Sequence, residues 1–469
     1  MTVRLALLIA YSAGLVGLGL WIGRYVKGAK DFFVAGRGLG PGLIFSTMLA
    51  ANIGAGSTVG ATGLGYRDGL AAWWWVGSAG IGSILLALWI GPAIRRLAAA
   101  HDLRTVGDYL ELRYGPSIRG IIAVLLWVGS LAILAGQLIA IASILHVVAG
   151  APKWIGCAIG GVMITIYSSA GGLKSGAWVN MVQLTVKLAG FALALPLALS
   201  AIGGWPALRG MPVPAADYWN FWSGGASGIV YLAMLGPAFV ISPGLLQKIY
   251  GARDDRAVRL GVGANAAGLL FYAIVPVVLG MIARLRFHDL ATPDLALPMI
   301  LMHGLPTAIG TLGLAAVFSA ELSSADAVLF MLTTSLSQDL YKRFVAPRSD
   351  EARILLVARI ATVAAGAIAT AVAIVSPSVI AVLGIFYTIL SVSLFVPILG
   401  GLYVARATTA EALAAIASGV GAMLFVQVTT GGTGYGSLTP ALIGFGAAVV
   451  GFFIVLAARR TALAADIGA

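Results

Sequence analysis

Charged residues are scarce in this sequence, and their scarcity excludes most soluble folds. Asp, Glu, Lys and Arg make up 10% of the 469 residues, whereas about 25% is usual in soluble domains. The mean hydropathy is +0.99. The one cysteine, Cys157, excludes an intramolecular disulfide and a thiolate metal cluster. We find no His/Asp/Glu cluster, metal-ligand spacing or phosphate loop, so the sequence does not indicate an enzyme.

Apolar runs of roughly 20 residues recur along the whole chain, which is typical of transmembrane helices. Hydropathy predicts about 13 spans in a single membrane domain, 1–469, embedded in a lipid bilayer. The net charge of +12 comes from Lys and Arg beside these runs, so it indicates membrane topology and not a nucleic-acid partner. We expect the protein in the plasma (inner) membrane, and the positive-inside rule predicts that its N-terminus is outside and its C-terminus in the cytoplasm.

Two of the predicted spans contain helix-breaking residues. The second contains Asn-Ile-Gly-Ala-Gly-Ser at 52–57, and the seventh contains Pro237 and then Ser-Pro-Gly at 242–244. Interrupted segments at corresponding positions of two halves are the best sequence indication of a transporter site. The breaks therefore predict the following division: an extra helix at 4–24, five-helix repeats at 40–203 and 227–404, and two C-terminal helices at 408–460.

A broken helix in a membrane frees carbonyl groups that need a partner. A desolvated sodium ion suits carbonyl oxygens from the first break together with the hydroxyls of Ser323 and Ser324. The alternative is that these small residues only allow helices to pack tightly.

Short motifs follow one another in a characteristic order. They are Asp-Phe-Phe-Val-Ala-Gly-Arg at 31–37, Ala-Ala-Asn-Ile at 50–53, Gly-Ala-Thr-Gly-Leu-Gly-Tyr at 60–66, Thr-Val-Gly-Asp-Tyr-Leu at 105–110, Arg-Tyr at 113–114, Tyr-Ser-Ser-Ala-Gly-Gly-Leu at 167–173, Gln-Lys at 247–248, Ser-Ser at 323–324 and Asp-Leu-Tyr-Lys at 339–342. In this order and spacing the sequence resembles the sodium:solute symporter family, which includes sodium–glucose, proline, sialic acid and choline transporters. The resemblance covers nearly the whole chain. It implies an all-α polytopic membrane protein with the five-plus-five inverted-repeat core of the leucine transporter, one extra N-terminal helix and two extra C-terminal helices.

The resemblance also implies a sodium site. In this family two carbonyls of the first core helix bind the ion, and by position they belong to Ala50 and Ile53. The eighth core helix adds one carbonyl and two hydroxyls, which by position belong to Ala320, Ser323 and Ser324. Sodium is thus expected as the coupling ion.

Some positions depart from the family pattern. Asn180 stands where several members have an aspartate linked to sodium exit or to a second sodium, so we expect one sodium per cycle. Gly56 and Ser57 stand where a larger polar pair would be expected, and Trp75 where glucose transporters have an acid. These departures argue against a glucose-like solute. An aromatic belt is the expected role of the tryptophans at 73–75, with a ligand role as the alternative.

Ionisable residues within spans are costly and often functional. Asp326 lies one turn past Ser323, so it is expected either to attract sodium on release or to be a satisfied interface acid. Lys187 needs a partner. It could pair with Glu321, bind a substrate carboxylate, or act as a built-in cation that replaces sodium and makes the carrier proton-driven.

Together these features predict sodium-coupled symport of a small organic solute into the cytoplasm by alternating access. Free amides at Gly54, Ala55, Gly56 and Ser57, with Lys187 at similar depth, favour an amino acid or another small carboxylate. The alternatives are a proton-coupled carrier with Lys187 replacing the cation, and a transporter-like sensor acting with a separate partner. A channel is less favoured, because paired broken helices indicate a gated carrier.

Overall fold

The computed structural model describes residues 37–468 except 169–171, 213, 214, 433 and 437, together with scattered positions between 6 and 21. Side chains are described outside 167–178 and up to residue 459. The predicted extra helix at 4–24 therefore lies largely outside the described residues. The same is true of most of the motif at 31–37 and of much of the motif at 167–173.

The described chain is almost entirely helical, with one short hairpin. The helices are α1 (Pro41–Asn52), α2 (Ala61–Asp68), α3 (Trp73–Leu85), α4 (Gly91–Ala100), α5 (Val106–Tyr114), α6 (Pro116–Ala149), α7 (Lys153–Ser168), α8 (Gly172–Ala201), α9 (Gly204–Arg209), α10 (Tyr231–Ile241), α11 (Pro243–Tyr250), α12 (Asp255–Tyr272), α13 (Ile274–Arg286), α14 (Ala296–His303), α15 (Thr307–Thr334), α16 (Glu351–Val375), α17 (Val379–Tyr403), α18 (Thr409–Thr429) and α19 (Pro440–Gly468). The hairpin pairs β1 (Ser223–Gly224) with β2 (Ser227–Gly228) in antiparallel fashion.

Ten helices in the described part of the chain are long and apolar enough to cross a membrane. The protein is therefore a multi-pass membrane protein. The count of about 13 spans stays a prediction, because the first span lies largely outside the described residues and Lys153–Ile166 is a shorter apolar helix.

Close backbone contact holds α2 against α13. A Cβ atom added to Gly280 would lie 2.1 Å from the carbonyl oxygen of Thr62, and one added to Gly65 would lie 2.5 Å from that of Val277. Only glycine permits such an approach. Small residues at helix interfaces serve this purpose in membrane proteins, where lipid is as apolar as the side chains themselves.

A network of charged side chains joins α5, α6 and the irregular helical turn Ser335–Val345 that extends α15. The guanidinium of Arg119 lies 2.8 Å from Asp108, 2.8 Å from Glu111 and 2.7 Å from Asp339. The hydroxyl of Thr105 donates a 2.6 Å hydrogen bond to the same oxygen of Asp339. The network therefore links the end of α15 to the start of α5.

Both predicted breaks interrupt their helices. At the first, α1 ends at Ile53, whose φ of −87° and ψ of 83° are not helical, and a π-helical turn, Gly56–Gly60, leads into α2. At the second, Ser242 with φ −53° and ψ 121° separates α10 from α11, and Pro243 begins α11. The helix continues through Pro237. A residue that precedes proline is biased away from helical geometry, which explains why the chain breaks at Ser242.

Candidate ion and solute site

The first break is held together by side chains that replace the lost helical hydrogen bonds. The amide of Gly54 donates to the hydroxyl of Ser57 over 3.0 Å, and the amide of Ala55 donates to Gln137 Oε1 over 2.9 Å. The amide of Ser57 donates to the carbonyl of Gly54 over 2.9 Å. These three amides, which the sequence analysis offered to an anionic solute, are therefore engaged within the protein.

Gly54 brings the break into contact with α15. A Cβ atom at this position would lie 2.2 Å from the Ser324 hydroxyl oxygen and 2.9 Å from Gln137 Oε1. The Ser324 hydroxyl itself donates a 2.7 Å hydrogen bond to the carbonyl of Ala51. Glycine is thus required here by the close approach of α15, in addition to its effect on helix propensity.

Gln137 makes a testable contribution to the break. In the Gln137→Leu variant the amide of Ala55 would lose its acceptor in a buried site, which costs about 1–3 kcal/mol. We expect a lower midpoint temperature of unfolding in detergent, measured by the fraction of protein that stays monodisperse after heating.

Gln183 offers a matched control for this change. Its side chain is also fully buried, and neither of its amide atoms has a partner among the described residues. Gln183→Leu should therefore leave the midpoint nearly unchanged or raise it. Equal losses in the two variants would contradict the role given to Gln137.

Lys187 reaches the oxygens that the resemblance assigned to sodium. Its side chain, 0% exposed, extends from α8. The Nζ atom lies 2.5 Å from the carbonyl oxygen of Ala50 and 3.0 Å from that of Ile53, and it also contacts the hydroxyl of Ser323. An ammonium group has three N–H donors, and these three acceptors satisfy all of them.

The other two predicted sodium ligands have different partners. The carbonyl of Ala320 accepts a 3.2 Å hydrogen bond from the hydroxyl of Ser323. The same hydroxyl lies 2.9 Å from the carbonyl oxygen of Ala50. Ser324 faces Ala51, as described above. Three of the five predicted ligands thus converge on one point, and the amine of Lys187 is at that point.

Glu321, the first partner considered for Lys187, contacts another residue. Its Oε1 accepts a 2.7 Å hydrogen bond from Thr58, in the π-helical turn after the break. No ion pair joins it to Lys187 in the described part of the chain. The contacts of Lys187 are therefore with the oxygens of Ala50, Ile53 and Ser323, and the choice among its three alternatives stays a prediction.

A cavity lies between the two broken helices. Together with the solvent space at its opening, it has a volume of about 800 Å³. The first break contributes Asn52, Gly54, Gly56 and Ser57 to its wall, but not Ala55. The polar residues from the remaining elements are Gln137, Ser242, Lys248 and Ser324.

Among the described residues that line this cavity, Lys248 is the one that is charged. The sequence analysis counted its motif only toward the family resemblance, yet its side chain is just 3% exposed. Its Nζ donates a 3.0 Å hydrogen bond to the carbonyl of Thr47. Asp326, half-buried on α15, lies close enough for its charge to act on Lys248. The position of Lys248, six residues after Ser242, is the signal that could have identified it.

Aromatic side chains form part of the apolar wall, together with aliphatic ones. Trp75 is 4% exposed, and its ring lies 5.1 Å from that of Tyr231 and 5.9 Å from that of Tyr387, centroid to centroid. Trp74 is buried as well and donates to the carbonyl of Phe221. The expectation of an aromatic belt was therefore wrong for these two residues, because both pack inside the protein. Trp75 lines the cavity between the two broken helices, as its alternative role beside a ligand would require.

Asn180 also lies in the interior, next to the first broken helix. Its amide nitrogen is 3.3 Å from the hydroxyl of Thr47 on α1. It therefore contacts the same helix as Lys187, two turns away along α8. Its predicted influence on sodium stoichiometry stays a prediction, as does the role of Asp326 in ion release.

Comparison with known proteins now decides the family. The model of the sodium:solute symporter family matches residues 32–419, most of the chain. The chain belongs to the sodium:solute symporter family. The resemblance found in the short motifs is thus confirmed.

Several members of the family are similar to this chain over most of its length. It is 27% identical over 370 residues to the human sodium/iodide cotransporter. The aligned region covers 71% of this chain and 55% of that protein. It is 26% identical over 405 residues to the Vibrio parahaemolyticus sodium/glucose cotransporter, with 77% and 73% covered. It is 25% identical over 451 residues to the Escherichia coli sodium/pantothenate symporter, with 90% of each chain covered. The chain thus spans about half the length of the first of these relatives.

Solved structures confirm the fold. A substrate-bound, outward-open Na⁺-coupled sialic acid symporter has a TM-score of 0.80 with 18% identity and 97% of each chain covered. Mhp1, a nucleobase-cation-symport-1 transporter, has a TM-score of 0.59 with 14% identity, and 93% of this chain and 95% of that chain are covered. The leucine-transporter-like, all-helical architecture is therefore correct. The repeat boundaries 40–203 and 227–404 stay predictions.

Proposed function

We propose that this member of the sodium:solute symporter family is a secondary active transporter that carries a small organic carboxylate together with a cation. Family membership and the sialic acid symporter support sodium-coupled symport as its general activity. The observation that carries the solute class is the cavity between the two broken helices, in which Lys248 is the one charged residue of the described lining.

A carboxylate suits this cavity for electrostatic reasons. Lys248 uses one donor on the carbonyl of Thr47, which leaves two N–H groups for a ligand. Asn52 and Gln137 add amide groups, while Trp75 and Tyr387 can cover an apolar body. A few convergent polar groups in a mostly apolar pocket are typical of small-molecule sites. An amino acid or a short organic acid has this combination of features.

The contacts of Lys187 favour a second candidate for the driving ion. Its amine lies on Ala50, Ile53 and Ser323, where the family resemblance expected sodium. A carrier of this kind would be driven by the proton gradient, with Lys187 in place of the cation. Uptake into proteoliposomes distinguishes the candidates. A sodium gradient at equal pH drives the first, and a pH gradient in sodium-free medium drives the second.

The solute class is tested by replacing Lys248 with methionine. A hydrogen bond to a charged group contributes about 1.5–3 kcal/mol, so K248M should weaken carboxylate binding by roughly ten- to a hundredfold. Binding is measured by competition in proteoliposomes, with each carboxylate of a panel compared with its neutral amide analogue. The preference of the wild type for the carboxylate should disappear in K248M.

Lys342→Met is the matched control, because Lys342 is half-buried and lies outside the cavity. It should leave the competition profile unchanged. A K248M protein that weakens carboxylate and amide analogues equally would assign Lys248 a structural role and reject the carboxylate.

A further inference from the structure

The amine of Lys187 meets the geometric requirements of a cation site. Its three acceptors come from two elements: Ala50 and Ile53 at the end of α1, and Ser323 on α15. All three residues are 0% exposed. Buried carbonyls freed by a helix break need a cationic or N–H partner, and here the chain supplies that partner from a third helix, α8.

A sodium ion does not fit beside this amine. It would have to share the oxygens of Ala50, Ile53 and Ser323 with a like charge, in a site closed to water. The hydroxyl of Ser324, a further expected ligand, donates its hydrogen bond to the carbonyl of Ala51. The residues present therefore satisfy an ammonium group and leave too few oxygens for a metal ion.

Charged groups of both signs surround Lys187. Glu321 on α15 and Lys248 on α11 are the groups whose charges act on it. Glu321 carries the opposite charge and is fixed by Thr58. A sodium ion beside Lys187 would add a positive charge to a region in which two lysines, Lys187 and Lys248, are already matched by two acids, Glu321 and Asp326.

We propose that the Lys187 ammonium is a built-in replacement for the sodium ion at the junction of α1 and α15, so that the protein binds no sodium there. This deepens the second driving-ion candidate of the proposed function and rests on it, and it concerns which cation holds the junction whatever solute is carried. It also makes Lys187 a positioning residue for the broken helix and removes it from the solute site.

Sodium binding to the purified full-length protein tests the proposal without any solute. Radioactive sodium bound at equilibrium is counted for the wild type, for K187M, and for K187M combined with S323A. We expect K187M to bind one more sodium per chain than the wild type, because the vacated oxygens can then receive the ion. The S323A change should weaken that additional binding at least tenfold. Equal sodium binding by the wild type and K187M would overturn the proposal.

The wild type provides a second measurement that does not depend on the folding of K187M. Its midpoint temperature of unfolding is measured in sodium and in potassium chloride of equal ionic strength, alongside that of S323A. We expect the difference between the two salts to be the same in both proteins. A sodium-specific stabilisation of the wild type that S323A abolishes would show sodium at this site and overturn the proposal.

Uptake measurements distinguish a failure of this inference from a failure of the proposed function. At fixed pH and membrane potential, replacing sodium by potassium should change wild-type uptake by less than twofold, while K187M should become sodium-dependent. Wild-type uptake that needs sodium and loses that need in S323A would overturn the inference alone. Failure of every carboxylate in the panel to enter would reject the proposed solute, and the sodium-binding comparison would still decide the inference.

Discussion

Replacing Gly54 with alanine is expected to reduce solute uptake at least tenfold. The new Cβ atom would lie 2.2 Å from the Oγ and 2.5 Å from the Cβ of Ser324, distances that real structures do not allow. The break must then move away from α15. Overpacking of this kind costs about 1–3 kcal/mol, and a tenfold change corresponds to about 1.4 kcal/mol. The initial rate of uptake at low solute concentration measures the effect.

Two further variants make this result specific. Gly42 lies on α1, the helix that precedes the break, and nothing lies within 4 Å of the position its Cβ would take, so Gly42→Ala should retain wild-type uptake. Adding Ser324→Gly to Gly54→Ala removes the clashing side chain and should restore part of the activity. No restoration would mean that Gly54 acts through backbone flexibility and not through its contact with α15.

Loss of the Arg119 guanidinium is expected to have the largest effect on stability. Arg119→Met would leave Asp339, which is almost fully buried, without its charged partner. Removing one member of a buried ion pair costs about 3–5 kcal/mol. The midpoint temperature of unfolding in detergent should fall by several degrees, and the yield of monodisperse protein should fall with it.

Arg343→Met is the control from the same network. Arg343 pairs with Glu111 over 2.6 Å, but its side chain is 41% exposed. An exposed pair contributes about 0–1 kcal/mol, so this variant should unfold close to the wild-type temperature. A loss as large as that of Arg119→Met would mean that total charge matters more than burial.

The fold was largely predictable because membrane helices can be recognised from the local sequence. Long apolar runs mark the spans, and glycine or proline in Asn-Ile-Gly-Ala-Gly-Ser and Ser-Pro-Gly marks both breaks. The convergence of Ala50, Ile53 and Ser323 was predictable only through the family resemblance. Spacing along the chain cannot show that residues about 270 positions apart approach each other.

The partners of the site were harder to predict, because they depend on how separate helices pack. Gln137 reaches the amide of Ala55 from 82 residues away. Nothing local marks that contact, although Gln137 is an isolated polar residue in an apolar run. Lys187 left three alternatives open for the same reason. Its choice of Ala50, Ile53 and Ser323 over Glu321 depends on the rotation of α8 against α1 and α15.

The contact between Lys187 and the broken helix also differs from the binding of an ion in that it does not depend on an ion concentration in the medium. A dissolved ion leaves when its concentration falls, whereas a side chain is attached and cannot be diluted. The amine belongs to α8, so its contact with the carbonyl of Ala50 uses no ion from the medium. Under the proposal above, the closed junction of α1 and α15 therefore has the same stability at low and at high sodium concentration.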